Sequence, residues 1–211
     1  MTTRILLCSL FAAVCLPSAL AQADNPKLVG TVGRNDAFTI TLRDASGALV
    51  THLDPGTYDL EVQDLSEEHN FHLHGPGVDM ATDPATTSDV VWTVTLAEGK
   101  YSYICDVHAS QMRGWFTVGN VPPTALTASV GPKQKIALQP KTVEVGPATI
   151  TVSDKSKTDN FHLVGPGVDR KTKIVGRGTQ KWNVTLQPGR YTYSSDKHKK
   201  LRGSFVVTLP S

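Results

Sequence analysis

Little in this sequence can form a long helix, cross a membrane or close a disulfide. No segment sustains a 3.6-residue apolar period, so long helices are not expected. The longest apolar run, Ile5 to Leu16, is about twelve residues, well short of the roughly 20 that a spanning helix needs. With Arg4 before it, and Pro17 and Ala19-Leu20-Ala21 after it, the run reads as a secretory signal over residues 1–21. The mature chain is therefore expected to be soluble, in a periplasm or secreted. Cys8 and Cys15 fall inside that segment, which leaves Cys105 as the one thiol in a disulfide-permissive compartment, unable to form an intrachain disulfide. No nucleic-acid-binding motif is evident, and no nucleic-acid partner is expected.

What the chain does contain is a copy of itself. At an offset of 90 residues Asn70-Phe71-His72-Leu73 lies over Asn160-Phe161-His162-Leu163, and Gly75-Pro76-Gly77-Val78-Asp79 over Gly165-Pro166-Gly167-Val168-Asp169. Trp92, Tyr101, Tyr103 and His108 fall on Trp182, Tyr191, Tyr193 and His198. A unit of about 90 to 100 residues can hold its own core, so this is a tandem duplication of a domain and not a solenoid. The boundary is expected at Val121-Pro122-Pro123-Thr124, giving domains 24–120 and 124–211.

Within a unit the apolar residues alternate with polar ones, as in Phe38 to Leu42, Tyr58 to Val62, Trp92 to Leu96 and Tyr101 to Cys105. A period of two with β-branched and aromatic residues, punctuated by Asp54-Pro55-Gly56, Gly75-Pro76-Gly77 and Glu98-Gly99, predicts half-buried strands. Two all-β sandwiches or barrels follow. The same alternation turns Cys105 inward with Tyr101 and Tyr103, and His69 inward with Phe71 and Leu73. It turns Asn70, His72 and His74 the other way.

Cys105, His108 and Met112 form C-x-x-H-x-x-x-M, some thirty residues after the run His69-Asn70-Phe71-His72-Leu73-His74. A thiolate, an imidazole and a thioether on one loop, with a second imidazole from an earlier strand, are soft and borderline donors that suit copper; a His2Cys plane with a weak axial Met is the blue-copper arrangement. The plain alternative is a buried structural cysteine, since Cys packs as a small hydrophobe.

On these residues the first unit resembles the cupredoxins, small blue copper proteins that include plastocyanin, pseudoazurin and amicyanin. The resemblance implies two tandem cupredoxin-like Greek-key β-sandwich or barrel domains. It implies one type 1 copper ion in the first domain, held by His69, Cys105, His108 and the axial Met112. It also gives Asn70 the role of tying the ligand strand to the cysteine loop, the kind of outer contact that fixes ligand orientation. The implied function is one-electron transfer between redox partners, without enzymatic activity. Copper storage or delivery, or a partner-binding module with a vestigial site, are the alternatives. Copper oxidases and nitrite reductases place a His directly beside the ligand Cys; here the neighbours are Ile104 and Asp106, and the further His-x-His pairs of an oxidase are missing.

The second unit has lost the pattern: Asp159 stands for His69, Ser195 for Cys105 and Leu201 for Met112, and only His198 remains. A serine hydroxyl keeps its proton where a cysteine gives one up to metal, so no type 1 site is expected there. A weak site from His162, His198 and Asp159 is a remaining option, and His72, kept as His162, reads as structural. The net charge of +2 hides a separation: Asp24 to Asn120 carries 5 Lys+Arg against 14 Asp+Glu, or −9, and Val121 to Ser211 carries 15 against 5, or +10. The basic unit is expected to dock or scaffold, on the acidic unit, on another copy head to tail, or on an acidic redox partner or anionic surface.

Overall fold

The computed structural model describes residues 24–210; the expected signal segment lies outside the described residues. The first unit consists of β1 (Lys27–Val32), β2 (Ile40–Asp44), β3 (His52–Leu53), β4 (Gly56–Asp64), β5 (His72–Gly75), β6 (Val78–Ala81), β7 (Ser88–Leu96), β8 (Gly99–Ile104) and β9 (Arg113–Val118). The second repeats it as β10 (Thr124–Val130), β11 (Ile136–Gln139), β12 (Thr142–Glu144), β13 (Gly146–Asp154), β14 (His162–Gly165), β15 (Val168–Lys171), β16 (Gly178–Leu186), β17 (Gly189–Ser194) and β18 (Arg202–Thr208). Each unit pairs a four-stranded with a five-stranded sheet, in the orders β2-β1-β4-β7 and β3-β9-β8-β5-β6, then β11-β10-β13-β16 and β12-β18-β17-β14-β15. The tandem β-sandwich that the alternation and the duplication predict is thus present. Among the described residues the one helical element is a single 3-10 turn, Arg34–Asp36.

The alternation works as expected along the central strands. In β4, Tyr58, Leu60 and Val62 are buried, facing Phe71, Tyr101 and Phe116 from the other sheet in one core. In β13, Ala148, Ile150 and Val152 meet Phe161, Tyr191 and Phe205 in the second. The aromatic pairs are duplicated too: Tyr101 stacks on Phe116 with ring centres 5.2 Å apart, and Tyr191 on Phe205 at 5.0 Å. The alternating runs do not include β1, β3, β6 or β9, the strand read around His69 begins only at His72 as β5, and the second strand starts two residues later than the pattern predicts. Phe38 lies in the loop before β2, where it stays exposed.

Gly75 serves this stacking as much as the turn it precedes. A Cβ at Gly75 would lie 2.2 Å from Cδ1 of Tyr101, and one at Gly165 would lie 2.2 Å from Cδ1 of Tyr191, so each strand passes over a tyrosine ring with no room for a methyl group. The ring is fixed from the far end: Tyr101 Oη donates to the Pro76 carbonyl at 3.0 Å and accepts the Ala97 N–H at 3.0 Å, and Tyr191 repeats this with Pro166 and Gln187.

The units meet where Trp115 of β9 donates from Nε1 to Gln187 Oε1 at 2.9 Å and packs against the second core. Lys100 Nζ lies 3.6 Å from the Glu144 carboxylate across the same seam. Substituting Gly75→Ala should destabilise the first unit by about 1–3 kcal/mol, the usual cost of overpacking a filled core. Urea unfolding of the variant against the parent measures it; an unchanged midpoint would mean that Tyr101 moves aside freely.

Candidate metal centre

Four loops gather at one end of the first sandwich: residues 33–39, 65–71, 82–87 and 105–112. Sequence-local bonds shape the last of them. The His108 N–H donates to the Cys105 carbonyl at 3.1 Å, the Met112 N–H to the His108 carbonyl at 2.9 Å, and the Cys105 N–H to the Met112 carbonyl at 3.0 Å. The loop thus closes on itself, with Cys105 and Met112 at its mouth, both buried in the core cluster. The strand alternation carries Cys105 inward, as the sequence predicts.

His69 is buried and reaches the same point from the opposite loop. Its Nδ1 lies 3.0 Å from Nδ1 of His108, and Cys105 Sγ lies 3.9 Å from the first nitrogen and 3.7 Å from the second. With bonds of about 2.0–2.1 Å to nitrogen and 2.3 Å to sulfur, as zinc sites show, donors sharing one ion cannot lie more than about 4.2 Å (N and N) or 4.4 Å (S and N) apart. All three separations fall inside those limits, so the residues fit a single metal ion. His69, Cys105 and His108 are the one such cluster of three donors among the described residues. Nε2 of His69 is buried with no hydrogen-bond partner. The ring of Phe38 leans edge-on against both imidazoles, 5.1 Å from His69 and 4.7 Å from His108.

Asn70 ties the two donor loops together as the resemblance implies, and it is buried rather than open to solvent because both ends of its amide are used. Oδ1 accepts the Asp106 N–H at 2.8 Å, and Nδ2 donates to the Asp106 carboxylate at 2.7 Å and the Thr82 carbonyl at 3.4 Å. Asp106 is held in turn by His72, whose Nδ1 lies 2.8 Å from Asp106 and whose Nε2 lies 2.6 Å from Asp79. Burial alone would lower the affinity of His72 for a proton, but the bonds to Asp106 and Asp79 outweigh it and raise its pKa above the usual histidine value. His72 thus has a structural role, with a carboxylate on each ring nitrogen favouring its protonated form. His74, half-buried, and Met80, packed against the core edge, lie outside the donor cluster.

The second unit copies this clasp and replaces the donors. Asn160, Asp196, His162 and Asp169 repeat the bonds among themselves at 2.7–2.9 Å, and Asn160 Nδ2 donates to the Thr172 carbonyl at 3.3 Å. Where the first unit gathers two imidazoles and a thiol, the second has Asp159 accepting from Ser195 Oγ at 2.8 Å and lying 2.5 Å from His198 Nδ1. Burial pushes the Asp159 carboxyl upward, and the bonds from His198, Ser195 and Thr158 together bring it below its usual value. His162 points to Asp169 and Asp196, so the weak three-ligand site considered for His162, His198 and Asp159 is not assembled. Sequence reading missed Asp106, Asp79 and Phe38; the persistence of the two aspartates as Asp196 and Asp169 was a signal for the clasp.

No protein-family model and no curated protein matches the chain. Similar solved structures include a multicopper oxidase, 12% identical over 86% of this chain and 88% of that one, with a TM-score of 0.30. A reduced Cu(I) form of an amicyanin variant at pH 4 is 23% identical over 42% of this chain and 87% of that one, with a TM-score of 0.31. Auracyanin A, a blue copper protein from the green thermophilic photosynthetic bacterium Chloroflexus aurantiacus, is 15% identical over 44% and 98%, with a TM-score of 0.30.

The clasp in the second unit gives a pH expectation free of any metal. His162 is raised above 6.5, by Asp196 and Asp169 against the opposing effect of burial, and Asp196 is lowered from 3.8 to about 2, first by His162. A raised histidine stabilises below its unfolded pKa and loses this as pH climbs through the folded value; a lowered carboxylate stabilises above 3.8 and loses this as pH falls toward about 2. The stability difference between the parent and His162→Asn should therefore be largest between about pH 4 and 6.5 and shrink on both sides. Thermal unfolding across pH tests this; a difference that does not change with pH would contradict it.

Proposed function

We propose that this chain is an exported one-electron carrier whose first unit holds one type 1 copper ion and whose second unit is a metal-free docking or scaffolding domain. The observation that carries the proposal is the convergence of His69 Nδ1, His108 Nδ1 and Cys105 Sγ within 3.9 Å of one another at the mouth of a self-closed loop. A thiolate with two imidazoles suits copper and zinc alike, and Met112, on the same loop, as a weak fourth thioether donor is what favours copper. Bound copper supplies the couple between Cu(II) and Cu(I).

The chain's own residues set the rest. Cys105 sits at the end of β8, joined through the sheet to the core, and provides the sulfur through which charge is shared. His108, half-buried, offers the edge nearest solvent, whereas His69 is fully enclosed. The Asn70–Asp106 bonds hold the two donor loops at fixed separation, so that little rearrangement accompanies a change of charge. With Ile104 and Asp106 flanking Cys105, no histidine links this centre to a second one, and catalysis is not part of the proposal. Export to the periplasm or outside the cell is proposed on the leader sequence; among the described residues no helix is long and apolar enough to cross a membrane.

Adding Cu(II) to the mature protein should give an intense blue thiolate charge-transfer band, absent from Cys105→Ser. A colourless product would remove the basis for this reading. Met112→Gln should keep the colour and lower the midpoint potential, because an amide oxygen is a harder donor that favours Cu(II). Voltammetry measures that shift, and slow heterogeneous exchange in the parent would favour copper storage over transfer.

A further inference from the structure

The loops that form the metal end of the first unit have counterparts at the same end of the second: 131–135, 155–161, 172–177 and 195–201. The counterparts meet through the same bonds, Asn160 to Asp196 and the Phe161 N–H to Thr172 Oγ1 among them. Their charge is opposite. The first set carries five acidic residues and one basic, Arg34; the second carries nine basic residues and two acidic, Asp159 and Asp196.

The reversal is position by position. At the 90-residue offset Leu65, Glu67, Asp83, Val107, Ala109 and Ser110 each become lysine: Lys155, Lys157, Lys173, Lys197, Lys199 and Lys200. Two of those six exchanges remove an acid, and two remove an exposed aliphatic side chain, Leu65 at 40% and Val107 at 58% exposure. With Phe38, 51% exposed, those two aliphatics are the apolar surface on the loops around His108, and acids rim it. An apolar centre with a charged rim is how a docking face is composed, and the sign of that rim selects the partner. The second end has apolar surface of its own, since Ile174 and Val175 on the loop 172–177 are 39% and 83% exposed, so it is the sign of the surrounding charge that distinguishes the two ends. Nor is the basic end neutralised from within the chain. The contacts between units lie at Gln187 and Glu144, and Gln187 sits at the other end of β17 from the Lys197 loop.

We infer that the electron-exchange partner presents an apolar patch with a basic rim to the metal end of the first unit, and that the basic end of the second unit repels that same partner from the site without metal. The naming of this partner rests on the electron-carrier reading. The repulsion does not, because it follows from charge alone. Two similarly shaped ends on one chain would otherwise compete for the partner, and half of its encounters would be unproductive. The opposed ends also give the molecule a dipole that turns the correct end toward an approaching cation, raising the productive encounter rate.

The test uses a basic c-type cytochrome as the probe, titrated calorimetrically into the full chain at low ionic strength, with or without copper. The parent should bind one equivalent, and E67K/D83K should weaken binding about tenfold or more. The triple variant K157E/K173E/K197E should accept a second equivalent. All five positions are exposed, and circular dichroism verifies the fold. Unchanged affinity in E67K/D83K, or tighter binding of a succinylated, acidic cytochrome by the parent, would overturn the assignment of the partner. A stoichiometry of one in the triple variant would overturn the repulsion. On copper-loaded protein, hexaammineruthenium should exchange electrons faster than hexacyanoferrate relative to their driving forces, and salt should slow the first and speed the second; the reverse order would overturn the proposal. Failure to load copper would sink the electron-carrier reading and leave the calorimetric result standing.

Discussion

The bond pair between Asn70 and Asp106 is the constraint on which the rest of the centre depends. One amide joins the loop that carries His69 to the loop that carries Cys105 and His108, using a backbone N–H and a carboxylate of the same residue. Two bonds to one residue fix an orientation as well as a distance. His72, bonded to carboxylates through both ring nitrogens, then holds Asp106 from outside. A buried amide whose groups were unpaired would cost about 1–3 kcal/mol, which is reason enough for both loops to stay together whether or not a ligand is present.

The second unit separates that constraint from the chemistry it serves. The clasp is retained bond for bond, while the space between the loops is closed by Asp159, Ser195 and His198 bonding to one another. A carboxylate facing an imidazole needs only a proton between them. Two imidazoles and a thiol offer each other far weaker partners and are better served by a cation. Ser156 completes the replacement, its hydroxyl accepting the Asp159 N–H at 2.9 Å and donating to its carboxylate at 3.2 Å. The barrel end is thus stable with either filling, which explains how one copy could lose its donors without losing its fold.

Much of this was legible in the sequence, because duplication makes a chain its own comparison. Residues kept in both copies, such as Phe71 and Phe161, Tyr101 and Tyr191, or Asn70 and Asn160, belong to the fold, and those kept in one belong to the site, with His108 the exception because His198 survives. The alternation rule placed Cys105 and His69 correctly, since both continue strand-like backbone. It does not report the burial of Asn70, because alternation describes which way a side chain points and not whether a partner covers it. Phe38 alternates like a strand residue, but the left-handed residues Asn35 and Asp36 turn the chain just before it, and nothing in their side chains announces that. Trp115 was invisible for a different reason: its partner Gln187 lies 72 positions away, and no local pattern reports a contact between domains.

Trp115 stands three residues beyond Met112 on the strand that leaves the donor loop, and its ring rests on the second unit's core. The inactive copy is therefore an abutment as well as a neighbour: it bears on the strand to which one end of the donor loop is fastened. A chain ended at Asn120 would keep all four candidate ligands yet leave an indole facing water and its strand unbraced. The minimal set of ligands and the minimal folding unit of this centre are, for that reason, different lengths of chain.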